Sequence, residues 1–197
     1  MLTLEQLEQL NTAPKVCDMS LLLLLQLYKD TLCGRVFRYI LREGDSCFTV
    51  DLVFREENLC HILGIQHIKA KKSKIYRGTS GYQAIERGEL TFDKLKLINK
   101  NGFKSIKQRL RYFVLLKKLL HSPTAIRFNG SLINDCYVDC DIMLYDDVSE
   151  YRIHLGIDKK NGNEYFPKTF VVENDHGDKF THGQTVLSVE SIEVIDV

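Results

Sequence analysis

Residues 151–172 read YRIHLGIDKKNGNEYFPKTFVV. Ile153, Leu155 and Ile157 alternate with Arg152 and His154, the two-residue period of a strand that rests one face on a core. Asn161-Gly162 follows, a dipeptide suited to the left-handed backbone of a tight hairpin turn. Glu164–Val172 then resumes with aromatic and β-branched residues. Two strands joined by so short a turn must run antiparallel, so this stretch predicts a hairpin inside a C-terminal sheet. Working outward, Ala125–Phe128, Asp139–Tyr145 and Val186–Ile195 carry the same strand composition.

The chain before this sheet reads mostly as helix. Across Lys104–His121, Ile106, Leu110, Phe113, Leu116 and Leu120 recur at helical spacing, and Lys104, Lys107, Arg111 and Lys118 occupy the rest of the circumference. Ser122-Pro123 ends it. Shorter helices are predicted at Glu56–Leu63, closed by Gly64, at Tyr82–Arg87 and at Thr91–Lys100, with Gly78 and Gly81 flanking a loop. Arg35–Leu41 and Ser46–Phe54, around Glu43-Gly44-Asp45, predict a hairpin. At the N-terminus, Thr3-Leu-Glu-Gln6 is a capping box that opens a short helix through about Leu10. A second helix is expected from Pro14 to Leu32, its apolar face formed by Met19, Leu22, Leu23, Gln26 and Leu27, and its end set by Gly34. Together these predict an α+β fold: N-terminal helices and a β-hairpin, a basic helical middle, and a C-terminal twisted antiparallel sheet. The expected organisation is a helical segment over residues 1–34 and an α+β domain over residues 35–197.

Composition narrows the class. With 44% hydrophobic and 27% charged residues the chain has enough apolar surface to form a core. The longest apolar run is Leu21–Leu25, far short of the roughly 20 residues of a membrane helix. The N-terminus shows no secretion signal, so a cytoplasmic location is expected, with six cysteines as reduced thiols. No pair has CxxC spacing, and neither a metal nor a cofactor is expected. The net charge of +1 conceals a split: residues 61–121 hold 15 Lys/Arg against 3 Asp/Glu, and residues 122–197 hold 6 against 14. The basic middle either faces a polyanion such as RNA or folds against the acidic ends.

One ordered set of motifs resembles a known family. It comprises Asn58-Leu-Cys-His-Ile-Leu-Gly-Ile65, Leu90-Thr-Phe-Asp-Lys-Leu95, Gly102-Phe-Lys-Ser-Ile-Lys107 with Arg109 and Tyr112-Phe113, then Ile153-His-Leu-Gly-Ile157, Tyr165-Phe-Pro-Lys-Thr-Phe170 and Gly183-Gln184. In this order, over roughly residues 30–195, the chain resembles the fourth group of phage nuclease domains of the barnase, EndoU, colicin and RelE-like superfamily. The resemblance implies a compact α+β fold and a metal-independent ribonuclease of phages and mobile elements. The glutamate base of barnase-like enzymes has no clear counterpart in the sequence.

Cutting RNA without a metal requires a base for the 2′-OH, a cation for the phosphorane and an acid for the leaving oxygen. His61 stands four residues after Glu57, where a helical carboxylate can orient it, or it is a half-buried histidine bonded to backbone. His154 is expected on the polar face of its strand, roughly opposite Lys168 and Thr169, or else on a merely solvated surface. Tyr165 and Thr169 are read as sharing one strand face, with Pro167 marking an edge or bulge. The catalytic candidates are therefore His61, Thr169, His154, Lys107 and Arg109, with His61 and Thr169 expected in one cleft. Substrate contacts are expected from Lys69, Lys71, Lys72, Lys74, Lys104, Arg111, Tyr165, Lys168 and Gln184. Tyr76, Tyr82 and Tyr112 are candidate base-stacking platforms. His67, His121, His176 and His182 show no partner pattern. An antidote protein is a further expected partner. The alternative to a nuclease is a non-catalytic nucleic-acid or protein binder that inhibits a host or phage system.

Overall fold

The computed structural model describes residues 1–68, 74–148, 151–174 and 177–196. Lys69, Lys71, Lys72 and His176 lie outside the described residues. The chain forms two compact units, one of Met1–Cys33 with Arg55–Leu116, the other of Gly34–Phe54 with Lys117–Val197. The first is helical and the second is built on β-strands.

In the helical unit, α1 spans Leu4–Glu8 and its capping box is formed: Gln6 N donates to Thr3 Oγ1 at 3.2 Å and Thr3 N to Gln6 Oε1 at 3.0 Å. The predicted second helix starts later than Pro14. Val16–Asp18 is a 3-10 turn, and α2 runs Leu21–Thr31 behind Ser20, whose Oγ accepts from Leu23 N at 3.0 Å. Nothing at residues 13–15 supplies such a cap. Its expected face is also corrected. Leu22 and Gln26 are exposed, while Leu21, Leu24, Leu25 and Tyr28 are buried. A run of five leucines is apolar on every side, so its periodicity cannot fix which side faces the core. The Tyr28 hydroxyl, donating to Arg55 O at 2.6 Å, anchors the rotation observed.

After α3 (Leu59–Ile62), α4 spans Gly78–Glu86, so Gly78 and Gly81 lie in a helix and not in a loop. Gly81 is there for proximity: a Cβ on it would lie 2.5 Å from Cys60 Sγ. Helix α5 spans Phe92–Ile98 and α6 spans Lys100–Tyr112. Asn99 joins them, its Oδ1 accepting from Gly102 N at 2.8 Å and its Nδ2 donating to Ile68 O at 3.0 Å. The long predicted helix is interrupted. A 3-10 turn at Phe113–Leu115 separates α6 from α7 (Leu116–His121), where four consecutive apolar residues are all buried.

The second unit is a closed barrel of seven strands: β1 (Arg35–Glu43), β2 (Ser46–Val53), β3 (Thr124–Arg127), β4 (Ile142–Val148), β5 (Tyr151–Asn161), β6 (Glu164–Asn174) and β7 (Thr185–Asp196). Their order around the barrel is β1-β2-β6-β5-β4-β3-β7. The early hairpin and the late sheet are thus one structure. Every pairing is antiparallel except the short β2–β6 pairing, Asp51↔Glu164 and Leu52↔Tyr165. Phe37, Tyr39, Leu52, Leu144, Leu155 and Phe170 are fully buried along it. At one end the Tyr39 hydroxyl donates to Leu120 O at 2.8 Å, and Phe37 meets the edge of His121. A second cluster, Ile126, Phe128, Val138, Cys140, Met143, Val171 and Phe180, packs on the opposite face of β3–β6. Among the described residues no helix is long and apolar enough to cross a membrane.

Candidate functional site

In the helical unit the chain turns sharply at Gly64, whose φ of +75° favours glycine. His61 lies in α3, one residue before its end and ahead of this turn, and His67 ends the 3-10 turn Ile65–His67 after it. Arg109, from α6, lies against the glycine: a Cβ there would stand 3.2 Å from Arg109 Cδ and 3.4 Å from its Nη1. The missing side chain at position 64 therefore leaves room for the Arg109 side chain. Partial burial, then the charge of Arg109, then His61, all push the His67 imidazole below its ordinary value. The Gln66 side-chain nitrogen meets His61 Nδ1; as a donor it leaves the neutral ring's proton on Nε2. His67, which showed no pattern in sequence, thus stands beside two residues that did.

The opposite flank of α6 is a cationic groove. Lys96, Lys100, Lys104 and Lys107, with Val16, Cys17, Asn101 and Phe103, line a groove of about 480 Å³. Beside it, Lys15, Lys107 and Arg111 line a concavity of about 370 Å³. Positions 100, 104, 107 and 111 recur about once per helical turn and form one stripe, with Arg109 roughly 140° around the helix from Lys104. Among the described residues Lys100, Lys104 and Lys107 form no ion pair; Lys96 pairs with Asp93 at 3.0 Å and lies 5.3 Å over the Phe103 ring. Arg111 is held in the scaffold, its Nε donating to Pro14 O at 2.8 Å and its Nη1 to Gln108 Oε1 at 3.0 Å. Lys74 is exposed at the start of its own 3-10 turn. In sequence the helical unit holds 16 Lys/Arg against 9 Asp/Glu and the barrel unit 11 against 17, so the charge split follows the structural division. Tyr76, Tyr82 and Tyr112 are each less than 5% exposed, which removes them as stacking platforms.

The barrel unit holds the remaining candidates, including Thr169, so His61 and Thr169 belong to different units. His154 is not on a solvated face. It is 0% exposed and pairs with Val171, while Thr169 pairs with Gly156. The two tip residues of the hairpin are Gly162 and Asn163, with Asn161 paired to Glu164, and that turn sets His154 opposite Val171; an irregularity at Lys159/Asn161 is offset by a bulge between Gly156 and Ile157. The same bulge separates Tyr165 from Thr169. Tyr165 is buried near Arg127, which reaches Glu43 Oε2 at 2.8 Å and lies 5.0 Å over Phe48. Thr169 points outward, its methyl 2.7 Å from where a Gly156 Cβ would be. Lys168 is bound between Asp139, at 2.8 Å, and Asp158. Gln184 clamps Asn129, accepting from its N at 2.7 Å and donating to its O at 3.1 Å. His154 Nε2 lies 3.0 Å from Glu173 Oε2 between the rings of Tyr145 and Phe180. Among the described residues no group of three or more His, Cys, Asp or Glu is placed to hold a metal ion.

Compared with known families, residues 21–191 match the profile of the family described as phage-Barnase-EndoU-ColicinE5/D-RelE like nuclease4. Comparison with curated proteins and with solved structures gave no match.

Proposed function

We propose that this chain, which belongs to the phage-Barnase-EndoU-ColicinE5/D-RelE like nuclease4 family, is a metal-independent endoribonuclease whose centre is His61, His67 and Arg109. Family membership supports a nuclease function. The observation that carries the finer reading is Arg109 packed against Gly64, at the turn between His61 and His67, with Arg109 and His61 both acting on the His67 imidazole. These are the base, acid and cation that 2′-OH attack requires.

His67, kept uncharged by burial and by its neighbours, takes the 2′-OH proton. His61 is the acid in its charged form: the Gln66 amide turns so that its oxygen accepts from Nδ1–H, and the Nε2 proton passes to the leaving 5′-oxygen, leaving a neutral imidazole. Arg109 stabilises the phosphorane. The products are a 2′,3′-cyclic phosphate and a 5′-hydroxyl, and DNA, lacking the 2′-OH, is bound but not cut. Lys100, Lys104 and Lys107 hold flanking phosphates, the strand crossing the exposed face of α6 between its two flanks. In this reading Thr169, His154, Lys168, Tyr165 and Gln184 serve the barrel's own structure. Conflict between phages, or between a mobile element and its host, is the setting, with an antidote protein as partner.

The test is incubation of the purified protein with total RNA, with and without a chelator. Cleavage should survive chelation. His61→Ala and His67→Ala should each lower turnover about 10²–10⁴-fold while RNA affinity persists. Activity that depends on added magnesium, or is indifferent to both histidines, overturns the reading. The lysine groove also suits a binder without catalysis, which RNA binding with no turnover in the unaltered protein would favour.

A further inference from the structure

The outer face of the barrel carries an arrangement that the nuclease reading does not use. Gly177–Gln184 lies across β5 and β6, held by groups from both strands. Lys179 N donates to Glu173 Oε1 at 3.0 Å; Arg152 Nη1 donates to Gly177 O at 3.2 Å and to Thr181 Oγ1 at 3.0 Å. Phe180, 3% exposed, seats its ring 5.4 Å from that of His154. Beneath it His154 gives one nitrogen to Glu173. The other, Nδ1, is buried and meets no partner among the described residues.

We propose that Gly177–Gln184 is a latch that closes over an uncharged His154 and opens as the medium turns acidic. A neutral ring satisfies the site with one N–H, donated to Glu173. A charged ring places a second N–H at the buried Nδ1, which meets no acceptor among the described residues, a costly state. The surrounding charges do not remove this conflict. Glu173, on β6, favours the charged ring but already has one oxygen bound to Nε2 and the other to Lys179 N. Arg152, on β5, opposes it, and Asp147, on β4, is engaged by Arg152 at 2.6 Å. Tyr145, also on β4, presents its ring to both His154 and Arg152. From the latch, Lys179 lies over Phe180, and the Asp178–His182 pair, 3.5 Å apart, is exposed and weak. Burial is the larger influence on His154, lowering its proton affinity against the pull of Glu173. Lifting Phe180 hydrates the ring and removes the conflict, while the strand pairings beneath stay formed.

The experiment is amide hydrogen exchange by NMR on the full chain between pH 7.5 and 5, corrected for intrinsic rates. Protection of the Lys179 amide should fall by up to about tenfold per pH unit below the ordinary imidazole value. Amides of the β4–β5 pairing should keep theirs. In His154→Gln, whose side-chain amide can still donate to Glu173, the Lys179 response should be flat. Constant protection in the unaltered protein, or an undiminished response in His154→Gln, overturns the proposal. If that variant fails to fold, the wild-type ring decides. A His154 ring that titrates while the Lys179 amide stays protected also overturns it. Neither outcome depends on RNA cleavage.

Discussion

Replacing Lys100, Lys104 and Lys107 together with glutamine tests whether the groove beside α6 carries the polyanion. The three side chains are exposed, form no ion pair among the described residues, and follow one stripe of the helix. Their removal should cost little stability, because exposed charges contribute little to it. Each phosphate that the variant no longer neutralises should lower the slope of log affinity against log salt by about 0.7 for a single strand. Three such phosphates lower it by about 2. Raising salt from 50 to 200 mM multiplies the unaltered protein's loss of affinity by about 4 raised to that power, roughly 16- to 18-fold, relative to the variant. Fluorescence anisotropy with a 2′-O-methyl oligonucleotide measures binding alone, since the nucleophile is blocked. A variant that binds with the unchanged slope places the polyanion elsewhere and refutes the argument.

Four further outcomes follow from the geometry. Gly156→Ala inserts a methyl 2.7 Å from the Thr169 methyl and 2.9 Å from Cys140 Sγ, so urea unfolding should show a loss of about 1–3 kcal/mol; an unchanged midpoint means the bulge relaxes freely. Leu155→Ala, in a fully buried position, should cost about 2–5 kcal/mol in the same assay, and a loss under about 1 kcal/mol would contradict the packed interior. The acid limb of kcat/KM should lie below the ordinary imidazole pKa of about 6.5, because burial, Arg109 and His61 favour the deprotonated base at His67. Arg109→Gln removes one of those influences, so the limb should move up in pH as the rate falls; a limb that stays in place dissociates Arg109 from the base.

Much of the fold is readable in local chemistry. Thr3 and Gln6 form the capping box their spacing implies, and the β5–β6 hairpin turns within one residue of Asn161-Gly162, at Gly162-Asn163, with Gly162 at φ +48°. Alternation sends Ile153, Leu155 and Ile157 to the buried side. Errors arise where a local rule meets a non-local constraint. The leucine run at 21–25 has no polar face to fix its rotation. Gly81 reads as a loop breaker because nothing nearby in sequence announces Cys60 pressing on it. Closure into a barrel depends on a two-residue parallel pairing between Leu52 and Tyr165 and their neighbours, too short to leave a pattern.

The candidate residues separate on the same principle. Lys104 and Lys107 are legible because a stripe needs only helical periodicity. His61 and Arg109 are legible through family-like motifs, yet the approach of Arg109 to Gly64 is not, nor is its influence on His67. A histidine three residues past a glycine carries no signal until α6 is known to cross the turn. His154 fails in the opposite way. Alternation with Ile153 and Leu155 implies water on its face, but a sheet can be covered on both sides, and Phe180 covers this one. The hairpin also turns at Gly162-Asn163, one residue later than Asn161-Gly162 suggests, which sets His154 opposite Val171 and Thr169 opposite Gly156. Polar side chains on a strand therefore say which face they occupy and leave open what lies over it. For this chain the difference is between a ring sealed under a loop, His154, and a ring open to solvent, His67, whose neighbours in the helical unit include Arg109 and His61.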